Sequence, residues 1–218
     1  MIETLRDALQ RIFDLGGPVV ILLGALSIVV SAVVLYKFWQ FTTAGVGRHR
    51  ALREAIEAWD MGNRLAARRH LDLSRSYLRP VVAMALDGQG DADRLEAEAE
   101  ARFARLESGL RLLDSIAQLA PLLGLFGTVL GMISAFQALQ EAGAQVDPSI
   151  LAGGIWVALL TTAVGLAVAM PTALVLSWFE GRMDAERVLA QKALRTILAP
   201  AGQAQTFAPA ATAAPAHA

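Results

Sequence analysis

The feature that most constrains this chain is a run of 25 residues without a charged side chain, Ser115 to Leu139. A bilayer core of roughly 30 Å is crossed by about 20 apolar residues in an α-helix. The run is therefore long enough to span a membrane. Hydrophobic residues make up 55% of the chain and charged residues 18%, a composition typical of membrane proteins.

This predicted span also carries small residues at three- and four-residue steps, a spacing that places them on one helix face. They are Gly124, Gly127, Thr128, Gly131 and Ser134. In lipid, a face of small residues lets two helix backbones approach closely, because helix association there depends on packing. We therefore expect this helix to pack against partner helices and to present the Thr128 hydroxyl to a polar group.

Two further runs are predicted to span the membrane, which gives an all-α integral membrane protein with three transmembrane helices and a helical cytoplasmic domain. The first run ends in an interfacial aromatic, Tyr36, and Trp39 follows it. The predicted segments are an amphipathic N-terminal segment (1–17), transmembrane helix 1 (18–36), the cytoplasmic domain (37–114), transmembrane helix 2 (115–140), a periplasmic loop (141–149), transmembrane helix 3 (150–179), a cytoplasmic helix (180–198) and a disordered tail (199–218).

The N-terminal segment has two interpretations that its residues leave open. Apolar side chains follow one side of a possible helix, which fits an interfacial helix lying on the membrane or a helical extension of the first span. A cleaved signal peptide is disfavoured, because the apolar run is long and no A-x-A site closes it. The pattern also leaves open whether the last helix of the cytoplasmic domain, from about Ala92, continues unbroken into the second span.

The distribution of basic residues predicts the orientation. Residues 37–114 hold 13 of the 19 Lys and Arg, whereas the 142–149 loop contains no basic residue. By the positive-inside rule the N-terminus and this loop lie outside, and the central domain and the tail lie in the cytoplasm.

Composition argues against several other functions. The chain has no Cys, three His and a net charge of −1, so the sequence favours neither a Cys-based metal site nor nucleic-acid binding. No paired carboxylates, Ser-His-Asp arrangement or phosphate loop stands out. We expect no enzyme activity, no cofactor and no metal.

The third span repeats the pattern of the second, with Ala158, Thr162, Gly165 and Ala169 predicted to share a face. A Thr hydroxyl in a membrane helix commonly bonds a carbonyl of its own helix. Two Thr residues, each centred on a face of small residues, instead favour a hydroxyl-lined channel. Pro171 is predicted to kink this helix.

No Asp, Glu, Lys, Arg or His lies within any of the three predicted spans. Proteins that move ions or protons generally place an ionisable group at membrane depth. If this chain takes part in proton movement, the titrating group must come from another subunit, and this chain would form the sheath around it.

Two motifs, APLLGLFGTVLGM (residues 120–132) and ALLTTAVGLAVAMP (residues 158–171), resemble the two signature helices of the MotA/TolQ/ExbB proton-channel family. The three-span layout resembles ExbB and TolQ more than MotA, which has four spans. The resemblance implies a homopentamer in the bacterial inner membrane whose second and third helices surround the span of an ExbD- or TolR-like partner. That partner's membrane Asp would carry the proton, and motion would pass to a TonB- or TolA-like transducer.

By position in the motifs, the resemblance assigns Thr128 and Thr162 to the pore lining. The spacing of small residues and the expected kink predict a role in helix packing for Gly124, Gly127, Gly131, Ala158, Gly165 and Pro171. The expected function is a proton-channel or stator subunit that energises TonB-dependent outer-membrane transport. ExbB and TolQ proteins commonly carry Glu five residues before the second threonine, where this chain has Val157. A TolQ-like subunit for envelope integrity, a stator of another machine and a non-conducting scaffold are the alternatives.

Overall fold

The computed structural model describes the backbone of residues 2–141 and 148–201, and within these ranges the side chains from residue 17 onward except at position 150. This part of the chain consists of helices and their connections, without a strand, so the predicted all-α fold is confirmed. The helices are α1 (Ile2–Thr43), α2 (Arg50–Asp60), α3 (Arg64–Leu73), α4 (Arg79–Leu86), α5 (Ala92–Glu107), α6 (Leu110–Glu141) and α7 (Pro148–Leu198).

Three of these helices contain segments long and apolar enough to cross a membrane, at Gly17–Thr43, Leu110–Glu141 and Leu151–Leu198. The predicted number of spans is therefore confirmed. The helices extend beyond the predicted spans, and the segment predicted as a separate cytoplasmic helix (180–198) is the continuation of α7.

Two glycines divide the long helical regions. Gly17 has φ 66° and ψ −169° within α1, so residues 2–16 and 18–43 form two helical segments. Gly109, with φ +90°, separates α5 from α6, so the last helix of the cytoplasmic domain does not continue unbroken into the second span. A glycine adopts this backbone conformation without the steric cost that a side chain brings.

The chain divides into two compact units, which we name the span unit (residues 1–38 and 108–181) and the polar unit (residues 39–107 and 182–218). The span unit contains most of α1, all of α6 and the first part of α7. The polar unit contains α2 to α5 and the rest of α7. Each unit is described separately below.

In the span unit α6 and α7 run antiparallel along a seam of small residues. A Cβ atom built on Gly131 would lie 3.1 Å from the Cβ of Ala158, and one built on Gly124 would lie 3.0 Å from the carbonyl oxygen of Thr161. At Gly165 a Cβ would lie 2.6 Å from the carbonyl oxygen of Ala120, the closest approach to a backbone atom along this seam. Side chains larger than these would separate the two backbones.

Aromatic side chains mark two levels of α7. Trp156 and Trp178 are both more than half exposed, and their separation of 22 positions in the sequence corresponds to roughly 33 Å of helix. Trp178 also packs against Phe38 of α1, with ring centroids 5.4 Å apart. Because Trp prefers the membrane–water interface, this interval matches a hydrocarbon core of about 30 Å.

The polar unit has a hydrophobic core of its own, formed by side chains from α2, α4, α5 and α7. Leu52, Val81, Leu95 and Met183 are at most 1% exposed. The indole nitrogen of Trp59 donates to the carbonyl oxygen of Ile197 at 3.1 Å. The far end of α7 is therefore an integral part of this unit's packing.

Three predictions fall largely on positions outside the described residues. They are the disordered tail beyond residue 201, the periplasmic loop at residues 142–147 and the amphipathic side chains of residues 1–16.

The seam predicts opposite effects for two identical substitutions in α7. Gly165→Ala places a Cβ 2.6 Å from a backbone oxygen, which cannot rotate away, so we expect it to destabilise the protein by about 1–3 kcal/mol through overpacking. Gly153→Ala is the control, because a Cβ there meets nothing within 4 Å and Ala is the better helix former. Thermal unfolding of the detergent-solubilised variants measures the difference. Equal unfolding temperatures for the two variants would contradict the close packing of α6 and α7 at Gly165.

Candidate functional site

Thr161 lies at the centre of the seam between α6 and α7. It is 2% exposed, and its hydroxyl lies 2.7 Å from the carbonyl oxygen of Ala158 and 3.2 Å from that of Gly124 across the seam. A Cβ atom on Gly127 would lie only 2.7 Å from the Cβ of Thr161. The glycine is therefore required for the threonine to fit.

The seam face of α7 contains three of the four residues predicted for it, and Thr161 takes the place predicted for Thr162. The buried residues follow steps of three and four: Ala158, Thr161, Gly165, Ala169 and Thr172. Sequence reasoning placed Thr162 on this face and did not single out Thr161. The spacing of Thr161 from Ala158 and Gly165 is the signal that identifies the correct register.

Thr162 lies at the edge of the seam and is partly buried. A Cβ on Gly124 would lie 3.0 Å from its Cα. Its hydroxyl oxygen is buried and has no hydrogen-bond partner among the described residues. A buried polar group without a partner costs free energy, and a bond with a group from outside the chain would require the Thr162 side chain to rotate toward the surface.

Thr128 on α6 differs from Thr162. Its hydroxyl donates to the carbonyl oxygen of Leu125 within the same helix at 2.6 Å. This is the bond that a Thr in a membrane helix commonly makes. The two threonines that the sequence pairs are therefore in different hydrogen-bonding states.

The predicted packing residues divide between the seam and the surface. Gly124, Gly127, Gly131, Ala158 and Gly165 all lie on the seam. Pro171 is exposed, and α7 continues through it as one helix. The hydroxyl of the following residue, Thr172, donates to the carbonyl oxygen of Val168 at 2.7 Å.

A cavity of about 300 Å³ opens beside the seam in the span unit. Residues from α1, α6 and α7 line it, among them Pro18, Ser134, Val157 and Thr161. Val157 is the position at which the resemblance leads one to expect Glu. In this chain the wall at that position is apolar.

Lys37 is a buried cation that the sequence analysis assigned to the cytoplasmic domain. The structure extends the first candidate span to Thr43, and Lys37 is 0% exposed. A Cβ on Gly109 would lie 3.4 Å from its Cε, so the side chain lies beside the turn between α5 and α6. A basic residue directly after Tyr36 is typical of a charge at the membrane interface. No pattern in the sequence indicates that Lys37 is buried.

The ionisable side chains of α6 and α7 lie outside the apolar segments of these two helices. Residues 115–140 of α6 and 151–179 of α7 contain no ionisable side chain. The part of the chain that the structure describes also contains no group of three His, Cys, Asp or Glu residues able to hold a metal ion. Hydroxyls and backbone carbonyls are therefore the polar groups that this seam offers.

These features define a multi-pass membrane protein whose two later spans pack through small residues and carry hydroxyl groups. Residues 70–192 match the family described as the MotA/TolQ/ExbB proton channel family. The chain belongs to this family, as its two motifs predicted.

Curated relatives carry names from the same family. The chain is 34% identical to biopolymer transport protein exbB1 of Vibrio cholerae, over 78% of this chain and 76% of the relative. It is 32% identical to an ExbB homologue of Methanothermobacter thermautotrophicus, over 81% of this chain and 64% of the relative. The Tol-Pal system protein TolQ of Haemophilus influenzae is 39% identical over 37% of this chain and 35% of the relative.

The different bonding of the two adjacent threonines predicts different effects on stability. Thr161→Val removes a hydroxyl that bonds across the seam, so we expect a loss of roughly 0.5–2 kcal/mol. Thr162→Val removes a buried hydroxyl without a described partner and is expected to leave stability unchanged or slightly raised. Thermal unfolding in detergent measures both. A larger loss for Thr162→Val than for Thr161→Val would contradict this assignment.

Proposed function

We propose that this chain is an ExbB-like proton-channel subunit of a motor in the bacterial inner membrane that is driven by the proton-motive force. The motor would energise TonB-dependent transport across the outer membrane. Membership of the MotA/TolQ/ExbB family supports the channel class. The main observation in support of this function is that the Thr162 hydroxyl is buried and has no partner among the described residues.

Thr162 would solvate a carboxylic acid that gains and loses a proton. A hydroxyl can donate to a carboxylate and accept from the protonated acid, because it has one O–H and two lone pairs. Thr162 can do so without giving up an existing bond. Thr128, which shares the pore-lining role in this proposal, would have to release the Leu125 carbonyl first.

The titrating acid would come from an ExbD- or TolR-like single-span partner with a membrane Asp. The seam helices support this, since the apolar parts of α6 and α7 contain no ionisable side chain and proton pathways generally need one. Val157 supports it further, because this wall of the span unit supplies no acid of its own. The partner's carboxylate would then set the pH dependence of transport.

We further propose that several copies, a pentamer by family resemblance, surround the partner span. The apolar surface of the span unit is extensive, with Leu125, Phe126, Leu159 and Leu174 all more than half exposed. In a membrane such surface faces lipid or neighbouring helices. The N-terminus would be periplasmic and the C-terminus cytoplasmic, and a TonB- or TolA-like protein would receive the motion.

The ExbB branch is favoured over the TolQ branch by the extent of the alignments. The alignment with the Vibrio cholerae ExbB-type protein covers 78% of this chain, whereas the alignment with the Haemophilus influenzae TolQ covers 37%. A TolQ-like role in envelope integrity is the second candidate.

The proposed site predicts the effect of removing one hydroxyl. Thr162→Val should lower proton-driven uptake at least about tenfold, since solvation of a partly buried acid by one hydroxyl contributes on the order of 1–2 kcal/mol. Thr162→Ser should retain most activity because it keeps the hydroxyl. Uptake of a TonB-dependent substrate is measured in cells that lack their own copy of the subunit, with membrane levels compared by immunoblot.

Thr172→Val is the matched control, because it removes a hydroxyl that bonds its own helix in the same α7. Normal uptake in Thr162→Val cells would contradict the pore role. If Gly131→Leu also broke the oligomer while both threonine variants were active, the chain would be a packing scaffold.

A further inference from the structure

A cluster of buried polar side chains surrounds Glu186 of α7 in the polar unit. Glu186 and His49 are 3% and 4% exposed, and Ser76 is equally buried. Charged residues are almost never buried without partners. The stability of the cluster therefore depends on the hydrogen bonds between its members.

Three donors converge on the Glu186 carboxylate from two connecting segments. The backbone N–H of Gly47 donates to Oε1 at 3.0 Å, the Tyr77 hydroxyl donates to Oε2 at 2.9 Å, and His49 Nε2 lies 2.6 Å from Oε2. Gly47 and His49 lie between α1 and α2, and Tyr77 lies between α3 and α4. One side chain of α7 thus binds both connections.

The Gly47 N–H also lies 3.1 Å from His49 Nε2, and we assign the proton of the His49–Glu186 bond to Nε2 because an ionised carboxylate can only accept. Burial raises the pKa of Glu186, but the hydrogen bond and charge of His49, together with the bonds from Tyr77 and Gly47, hold that pKa below its ordinary value. Burial, with the charge of Glu186, raises the pKa of the Tyr77 hydroxyl, so Tyr77 keeps its proton and remains a donor.

Ser76 completes the cluster on the other side of the histidine ring. Its hydroxyl lies 3.0 Å from His49 Nδ1. When His49 is neutral with its proton on Nε2, Nδ1 accepts from Ser76, and when His49 is protonated, Nδ1 donates to Ser76. A serine hydroxyl can take either role, so both charge states of His49 keep both hydrogen bonds.

We propose that Glu186 is a positioning residue that fixes α7 to the α1–α2 connection and to the α3–α4 connection, and that this attachment holds whether His49 is neutral or protonated. The functional part of the inference rests on the proposed channel role: a subunit that passes protons needs an attachment of α7 that proton uptake does not break.

The other charged groups near the cluster are cations. Arg182 of α7 lies 3.9 Å from Glu186 Oε1, and Arg102 of α5 lies 3.4 Å from the backbone oxygen of Tyr77. Arg187, whose charge also acts on Tyr77, is held by Glu100 at 2.9 Å and by Glu107 at 2.7 Å. A guanidinium group stays charged at physiological pH.

The sign of the pH dependence follows from Glu186 and Tyr77. A carboxyl group with a lowered folded pKa stabilises the fold above its unfolded pKa of about 4.3, and this contribution is lost as pH falls through the folded value. A tyrosine with a raised pKa stabilises it below about 10, and this contribution is lost at higher pH.

Glu186→Gln should make the attachment sensitive to acid. A glutamine oxygen can still accept from Gly47 while its NH₂ donates to Nε2 of neutral His49, whose Nδ1–H then donates to Ser76. When His49 is protonated, the NH₂ group faces a second donor, either His49 Nε2 or, if the amide turns over, the Gly47 N–H, so one bond of the attachment is lost.

Amide hydrogen exchange of the full chain in lipid nanodiscs, at pH about 5.5 and about 8.0, measures this. Peptides covering residues 44–50 and 182–190 report the attachment. After correction for intrinsic rates, protection in wild type should not fall at the lower pH, whereas in Glu186→Gln it should fall at least about tenfold at the lower pH.

Two controls accompany this test. Asp184→Asn removes an exposed carboxyl two residues away on the same helix and should behave as wild type. Adding His49→Gln to Glu186→Gln should abolish the pH dependence, because the titrating ring is gone. Equal pH responses of wild type and Glu186→Gln, or a response in Asp184→Asn, would overturn the proposal.

Glu186→Ala tests the consequence for transport, since it leaves three donors without their acceptor. It should lower proton-driven uptake at least about tenfold at unchanged membrane level, while Asp184→Ala should not. Normal uptake would overturn the positioning role even if the exchange results held. If Thr162→Val cells transported normally while the exchange results held, the channel proposal would fail and the attachment would stand.

Discussion

The close approach of α6 and α7 is the constraint on which the span unit depends. In lipid the hydrophobic effect does not drive helices together, so their association relies on dispersion contacts and hydrogen bonds between closely spaced backbones. Glycine at positions 124, 127, 131 and 165 makes this spacing possible. The same spacing leaves room for small polar groups only, which explains why hydroxyls are the polar side chains on the seam.

Helix geometry alone gives the two adjacent threonines of α7 different surroundings and different hydrogen bonds. Successive residues of an α-helix are rotated by about 100°, so Thr161 points into the seam and Thr162 lies at its edge. The Thr161 hydroxyl is used by the fold, with two carbonyl oxygens within reach. The Thr162 hydroxyl has no described partner, and a partner from another chain would relieve the cost of leaving it unpaired.

The sequence predicted the features that follow from composition and period. Three spans, an all-α fold and the family could be inferred from apolar runs and from two motifs, because lipid allows few alternatives to a helix. Of the two adjacent threonines in the third span, the sequence placed Thr162 and not Thr161 on the small-residue face, since three- and four-residue steps fit either one. The burial of Lys37 and the cluster around Glu186 could not be inferred, because both depend on contacts between residues far apart in the chain, such as Glu186 with His49.

The two parts of α7 differ in the kind of polar side chain that they contain. In its apolar part a charged side chain would lack solvent and partners, and its cost would be several kcal/mol, so the polar groups there are neutral hydroxyls. At Glu186 three donors compensate a buried negative charge, and the charge then strengthens each of these bonds. A helix built in this way can present a weak, reversible ligand at Thr162 while its far part is held by strong bonds. In the proposed channel the partner's acid would bind and release the proton, and Thr162 would solvate both forms of that acid from a helix that strong bonds hold in place.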